Sequence, residues 1–410
     1  METCGKHKND NAFVYVVCGA DEHINALNYS IVCIKKYSLF PIIVITDSKR
    51  NSKKIEHDNI IDIPTPENYS HHAASIFLKT GLHKFLPPGK TYCYLDSDVI
   101  ALSEEVNSIF DFKPEPILFA SDHCTMQRFS PYAVNCGCAE KTKEEITQLE
   151  SEIKKHNPFF HSEKLQENNY FREFHRIAIS IRNNPIKGLR LAIRFLCFLY
   201  FTHKKYFRLN QNIRYNRKNK TWIDNKDNAI LFHVLNYYKK IEKESPFRFR
   251  FLKMSWVNKS GKNVYNCSCE HLSEAIKNKF NVHITDNNWQ HWNGGVFLFS
   301  DISHNFLETW HQWTLQAFED PYWKTRDQGT LIATVWKFKL NKKQRLQKKF
   351  NFIADYYNPE NTYCEGKGFT YDNFRTAFNP CFIHVYHQFG NKNWEIWNAI
   401  ENITGIPYHE

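Results

Sequence analysis

The chain has 410 residues, 42% of them hydrophobic and 16% aromatic, with 14 glycines and 15 prolines. That length and apolar content support a sizeable core in two or three domains and exclude fibrous and disordered classes. The net charge of +11 admits nucleic acid, an anionic membrane surface or an acidic substrate. No zinc-finger, RNP-like or helix-turn-helix pattern accompanies it, so nucleic acid is not an expected partner.

The opening METCGKHKND lacks an apolar run of the kind a secretion signal carries, and a cytoplasmic location is expected. Phe13 to Cys18 reads as a strand, and Asn25 to Lys36 as a helix with Ala26, Ile31, Cys33 and Ile34 at helical spacing. Pro41 to Thr46 and Asn59 to Ile63 read as further strands, and Ala73 to Phe85 as a helix closed by Pro87-Pro88-Gly89. Thr91 to Leu95 (TYCYL) and Ile117 to Ala120 complete the set. Near-continuous apolar strands alternating with helices predict an α/β fold with a mostly parallel central sheet flanked by helices.

From residue 139 to 285 the character turns basic, Asn-rich and aromatic, with helices expected over 142–155, 167–182 and 187–202. This reads as a large, mainly helical insertion between a first half, 1–138, and a second, 286–410. Its most apolar piece, LRLAIRFLCFLYF from Leu189 to Phe201, carries Arg190 and Arg194. It is shorter than the roughly 18 apolar residues a membrane span needs. An amphipathic or buried helix is expected, with a peripheral lipid contact at an inner membrane face as one use of it. After the insertion come a strand over Gly294–Phe299, helices near 303–318 and 327–335, and a last strand over Pro380–Val385. The twelve cysteines include the close pairs Cys136/Cys138 and Cys267/Cys269. C-x-C spacing is weak support for a zinc site, and reduced thiols are the preferred reading.

Asp96 and Asp98 follow the strand TYCYL. In open α/β sheets ligands sit beyond the carboxyl ends of strands, and residues two apart in extended chain project to one side. Two carboxylates held together repel unless a cation or strong donors neutralise them. Hard oxygen ligands of this kind suit Mn²⁺ or Mg²⁺. An isolated Asp-x-Asp is more often an ordinary turn, so context decides.

The segment SIFLKTGLHKFLPPGKTYCYLDSDVIAL resembles the donor-binding core of GT-A fold glycosyltransferases. It is most similar to glycosyltransferase family 8, which includes glycogenin and lipopolysaccharide galactosyl- and glucosyltransferases. Three further blocks follow in that family's order: Asn293-Gly294-Gly295-Val296 before a strand, Arg326-Asp327-Gln328-Gly329, and His387-Gln388-Phe389-Gly390-Asn391-Lys392-Asn393-Trp394. The last is one residue shorter between Gly and Lys than the family's block and has Asn393 where the family has Pro. Gly329 stands where the family often has a second Asp. The resemblance covers about 1–135 and 286–400.

What it implies is a metal-dependent, retaining hexosyltransferase that moves a sugar from a UDP-sugar donor to a glycan or lipid-linked saccharide, an anionic one included, in polysaccharide or lipopolysaccharide assembly. Mn²⁺, with Mg²⁺ as the other candidate, would be held by Asp96, Asp98 and His387, with His384 the rival third ligand. Asp327 and Gln328 would lie at the reacting face of the sugar. Cys18, Gly19, Ala20, Lys79, Ser97, Asp122, Asn293, Gly294, Gly390 and Lys392 would bind the donor. A non-catalytic sugar-binding protein and a nucleotide-sugar hydrolase are the alternatives.

Overall fold

The computed structural model describes residues 10–156, 176–177, 180–227, 229–231, 235–250, 255–358, 360–371 and 376–409. Its centre is a six-stranded sheet in the order Ile60–Asp62, Ile42–Thr46, Asn11–Val16, Thr91–Leu95, Gln290–Phe299, Leu118–Thr125. The first four strands pair in parallel. Gln290–Phe299 runs against both its neighbours, so the sheet expected to be mostly parallel is a mixed one. Burial on both faces makes an antiparallel strand read like a parallel one, and the apolar run carries no record of its direction.

Alternation along Asn11–Val16 divides the core in two. Ala12, Val14 and Val16 face a cluster with Ala74, Leu78, Phe306, Trp310 and Leu331. Phe13 and Tyr15 face the other side, against Ile24, Leu27, Ile31 and Ile34 of the helix Asp21–Tyr37. These four residues recur at helical spacing, so one stripe of that helix covers the sheet. The helix expected over Ala73–Phe85 is two, His71–Thr80 and Leu82–Phe85. Ser70 caps the first by accepting from Ala73 N–H. A second small sheet joins Val99–Ala101 to Phe382–His384 and Phe352–Ile353.

Among its described residues, the stretch expected as an insertion contains helices Cys138–His156, Pro185–Phe201, Leu235–Glu244 and His271–Phe280. It also holds a four-stranded and a two-stranded antiparallel sheet. The strands whose pairing the sheets record are three residues long, such as Arg214–Asn216 and Thr221–Ile223, too short for alternation to mark them. The helix expected over 167–182 lies mostly outside the described residues. On Pro185–Phe201, Phe195 and Phe198 pack against Phe207, while Ile186, Leu189, Ile193, Leu196 and Tyr200 are exposed. No helix among the described residues is long and apolar enough to cross a membrane.

His311, on the helix His304–Phe318, is 2% exposed. Thr80 Oγ1 donates its one proton to Ile76 O, so the 2.8 Å contact with His311 Nδ1 has the ring nitrogen as donor. Burial, then the nearby Lys84 and His83, lower the His311 pKa from 6.5 to about 4, against the opposing pull of Glu308. The unfolded chain therefore takes up this proton first. The associated stability is present above pH 6.5 and is lost as the pH falls through about 4. We expect a loss of about 3 kcal/mol across that window, read by calorimetry as a falling Tm. His311→Gln should flatten the fall, and an unchanged slope in that variant would count against the assignment.

Candidate active site

The chain turns sharply after Thr91–Leu95. Asp96 N–H donates to Gly295 O at 2.9 Å and Val99 N–H to Asp96 O at 3.0 Å. Ser97 O accepts from the Ser30 hydroxyl at 2.8 Å, which pins the turn to the helix Asp21–Tyr37. The chain then enters the small sheet, where Val99 lies opposite His384 and Val385 N–H donates to Asp98 O. This pairing brings His384 Nε2 to 3.2 Å from the Asp98 carboxylate. Asp96, Asp98 and His384 each present a ligand atom within 4.8 Å of the others.

Lys79 reaches the same place from the helix His71–Thr80. Its ammonium lies 3.0 Å from Asp96 and 3.4 Å from Asp327. Burial alone would push the Lys79 pKa down, but the carboxylates of Asp96 and Asp327 outweigh it and hold it above the usual lysine value. Tyr94 O–H donates to Asp96 at 2.6 Å. Burial likewise would lift Asp98, yet the His384 imidazole holds it below the usual carboxylate value. His384 itself is raised: burial opposes its charge, and Asp98 and then Asp96 favour it.

Two glycines make this approach feasible. A methyl at Gly295 would stand 2.4 Å from His384 Cε1, and one at Gly294 would stand 3.3 Å from Gln328 Oε1 and 3.4 Å from Lys79 Nζ. The pairing of Gln290–Phe299 with Leu118–Thr125 slips between Asn293 and Phe297, a bulge of the kind that re-aims backbone beside functional sites. Gly294 N–H donates to Gln328 Oε1 at 3.1 Å, and Gln328 Nε2 donates to Trp292 O. Asn293 Nδ2 donates to Asp122 at 3.0 Å, and Asn351 Nδ2 to Asn293 Oδ1 at 3.0 Å. Burial would raise the Asp122 carboxyl, but His291, His123 and the Asn293 amide hold it well below the usual range.

Thus Asp96, Asp98, Lys79, Asp327, Gln328, Asn293, Gly294 and Asp122 form one contact network, with Ser97 in its turn. Cys18, Gly19 and Ala20 follow Asn11–Val16 at the same end of the sheet, since Tyr15 lies beside Leu95. Gly19 has φ +105°, and a methyl there would stand 2.3 Å from the His71 ring. His387 is placed differently: its side chain is 42% exposed and its Nδ1 is 3.8 Å from Asp355. Gly390 turns with φ +79° against Tyr408, and Lys392 is exposed before the helix Glu395–Thr404. His384 rather than His387 joins the paired acids.

The sequence motifs miss His291, Tyr94 and Asn351. His291 and Asn293 are two apart on one strand and share a face, which was a usable signal. Asn351 arrives from a distant turn and had none. Gly329 packs against Trp323, where a methyl would meet the ring at 2.9 Å, so no second carboxylate fits there.

No family model matches the chain, and no curated protein does. Similar solved structures include the apo WbbM bifunctional glycosyltransferase, 8% identical, covering 99% of this chain and 51% of that one with a TM-score of 0.41. The chain thus spans about half of that protein's length. Another is galactosyltransferase LgtC in complex with donor and acceptor sugar analogs, 10% identical, covering 96% and 95% with a TM-score of 0.38. A third is apo mouse xyloside xylosyltransferase 1, 9% identical, covering 92% and 98% with a TM-score of 0.35. Identities and scores this low give no residue-by-residue correspondence.

The donor set at Asp96, Asp98 and His384 fits a divalent ion on its own chemistry. It offers two carboxylates and one imidazole, and His384 Nδ1 is buried without a hydrogen-bond partner. Lys79 leaves Asp98 clear by taking Asp96 and Asp327.

Proposed function

We propose that the chain transfers a hexose, with retention, from a UDP-sugar to a glycan or lipid-linked saccharide. The observation that carries this reading is the convergence of Asp96, Asp98 and His384 with Lys79, Asp327 and Gln328, which the fold collects from distant parts of the sequence. Asp96, Asp98 and His384 would hold Mn²⁺ or Mg²⁺. When bound, such an ion neutralises the charge that develops on a departing diphosphate.

The chain's own groups do the rest. Lys79 keeps Asp96 oriented through its ammonium and supplies positive charge beside the leaving group. Gln328, held by Gly294 N–H and Trp292 O, is a fixed neutral dipole at the sugar. Asp327 is engaged by Lys79, so it is not free to act as a nucleophile of the glycosidase type. That favours attack by the acceptor on the face from which the diphosphate leaves. Asn293 and Asp122 form a bonded pair suited to reading sugar hydroxyls, and Cys18, Gly19 and Ala20 would seat the nucleotide.

The test is divalent-metal-dependent release of UDP from a panel of UDP-sugars, with and without candidate acceptors. Acceptor-stimulated release is expected. Failure of every UDP-sugar to bind would overturn the reading, and full release without acceptor would make the protein a hydrolase.

On the acceptor side, the exposed Ile186, Leu189, Ile193, Leu196 and Tyr200 recur at helical spacing. Exposed Lys187, Arg190 and Arg194 share their helix, which contains no acid. This pattern fits an anionic lipid surface. Sedimentation with phosphatidylglycerol vesicles is expected, and Leu189→Glu with Ile193→Glu should abolish it. Equal binding to neutral phosphatidylcholine vesicles would refute the charge-matched surface.

A further inference from the structure

The structure assigns a second, separate metal site: Cys136, Cys138, Cys269 and His271 form a structural zinc centre at the neck of the insertion. Cys136 and Cys138 stand between the helix Met126–Ala133 and the start of Cys138–His156, where the chain leaves the sheet domain. Cys269 and His271 stand where it returns, His271 opening the helix His271–Phe280. One ligand atom from each of the four lies within 4.8 Å of all the others.

The separations match the edges of a zinc tetrahedron. With Zn–S of about 2.3 Å and Zn–N of about 2.05 Å, tetrahedral geometry gives an S–S edge of about 3.8 Å and an S–N edge of about 3.6 Å. Cys136 Sγ lies 3.8 Å from Cys269 Sγ, and Cys138 Sγ lies 3.6 Å from His271 Nδ1. A disulfide would need its sulfurs about 2.05 Å apart, and each described cysteine is free. Three thiolates and one neutral imidazole close the shell with no open position, the hallmark of a structural rather than a catalytic centre. Loading would release three thiol protons and form three Zn–S bonds and one Zn–N bond.

The surroundings support the thiolates. Ser130 Oγ accepts from Leu272 N–H at 2.9 Å, which leaves its own proton to point at Cys269 Sγ, 3.1 Å away. Gly137, with φ +72°, bends the chain between the two thiols, a conformation glycine adopts without penalty. Cys267 belongs to a different set of contacts: its thiol meets Thr142 Oγ1 and Cys138 O. The ligand pairs are therefore Cys136/Cys138 and Cys269/His271, and the second is C-x-H rather than C-x-C. The ion would tie together residues 133 apart in the chain and so fix both ends of the insertion to the sheet domain.

The test is metal analysis of the full chain, purified without an affinity tag under reducing conditions from zinc-supplemented cells. About one zinc per chain is expected, and exchange for Co²⁺ should give the visible spectrum of tetrahedral thiolate coordination. Cys136→Ser and Cys269→Ser should each lose the zinc, whereas Cys267→Ser should keep it. If the first two variants fail to fold, the cobalt spectrum of the intact chain still decides. Zinc-free intact protein with no tetrahedral cobalt spectrum, a Cys136–Cys269 disulfide, iron in place of zinc, or equal loss in Cys267→Ser would each overturn the assignment.

Discussion

Asp98→Asn is expected to cut metal-dependent UDP release by roughly 10³-fold, the equivalent of about 4 kcal/mol of leaving-group stabilisation. The substitution preserves shape and removes one negative charge. Asp98 is the acid most exposed to this change, because its ion-pair partner is His384 at 3.2 Å, whereas Asp96 is already bound to Lys79. An amide at 98 would still accept from the imidazole but would bind a divalent ion poorly. Isothermal titration with Mn²⁺ and UDP gives the companion measurement. Unchanged affinity for both would remove the paired acids from the mechanism.

Lys79→Met should destabilise the fold by about 3–5 kcal/mol, the usual cost of stripping one partner from a buried ion cluster. The Lys79 side chain is 11% exposed, and Asp96 and Asp327 are 26% and 18% exposed. Without the ammonium, two partly buried carboxylates lose the cation they share. A urea melt in the absence of metal reads the loss, and added Mn²⁺ should recover part of it by supplying the missing positive charge. A loss below about 1 kcal/mol would mean that water already compensates these acids.

Much of this site was legible because its chemistry interrupts its packing. Asp96 and Asp98 break an apolar run, and Asn293-Gly294-Gly295 places small residues where another side chain must approach. The third member of the candidate cluster was less legible. His384 and His387 lie three residues apart, and what separates them is strand pairing: His384 lies opposite Val99, next to Asp98. Pairing between such distant segments leaves no local mark. The same holds for the reversed direction of Gln290–Phe299. The cysteine cluster is hidden differently, since C-x-C spacing pairs Cys269 with Cys267, whereas in the fold Cys269 joins Cys136, Cys138 and His271.

The reversed strand also sets an order of assembly. Among the described residues, Leu118–Thr125 lies at the edge of the large sheet and pairs there only with Gln290–Phe299, and Cys124 and His291, which meet across that pair, are 167 residues apart. A growing chain must therefore make and set aside the whole insertion before its first half can close. Closing so long a loop is costly in entropy and slow, and until then Thr91–Leu95 remains an open sheet edge prone to wrong partners. The large sheet's strands that precede residue 138 and the strand Gln290–Phe299 are distant in sequence but share one sheet, and the candidate cluster, which needs His384, is among the last parts to form.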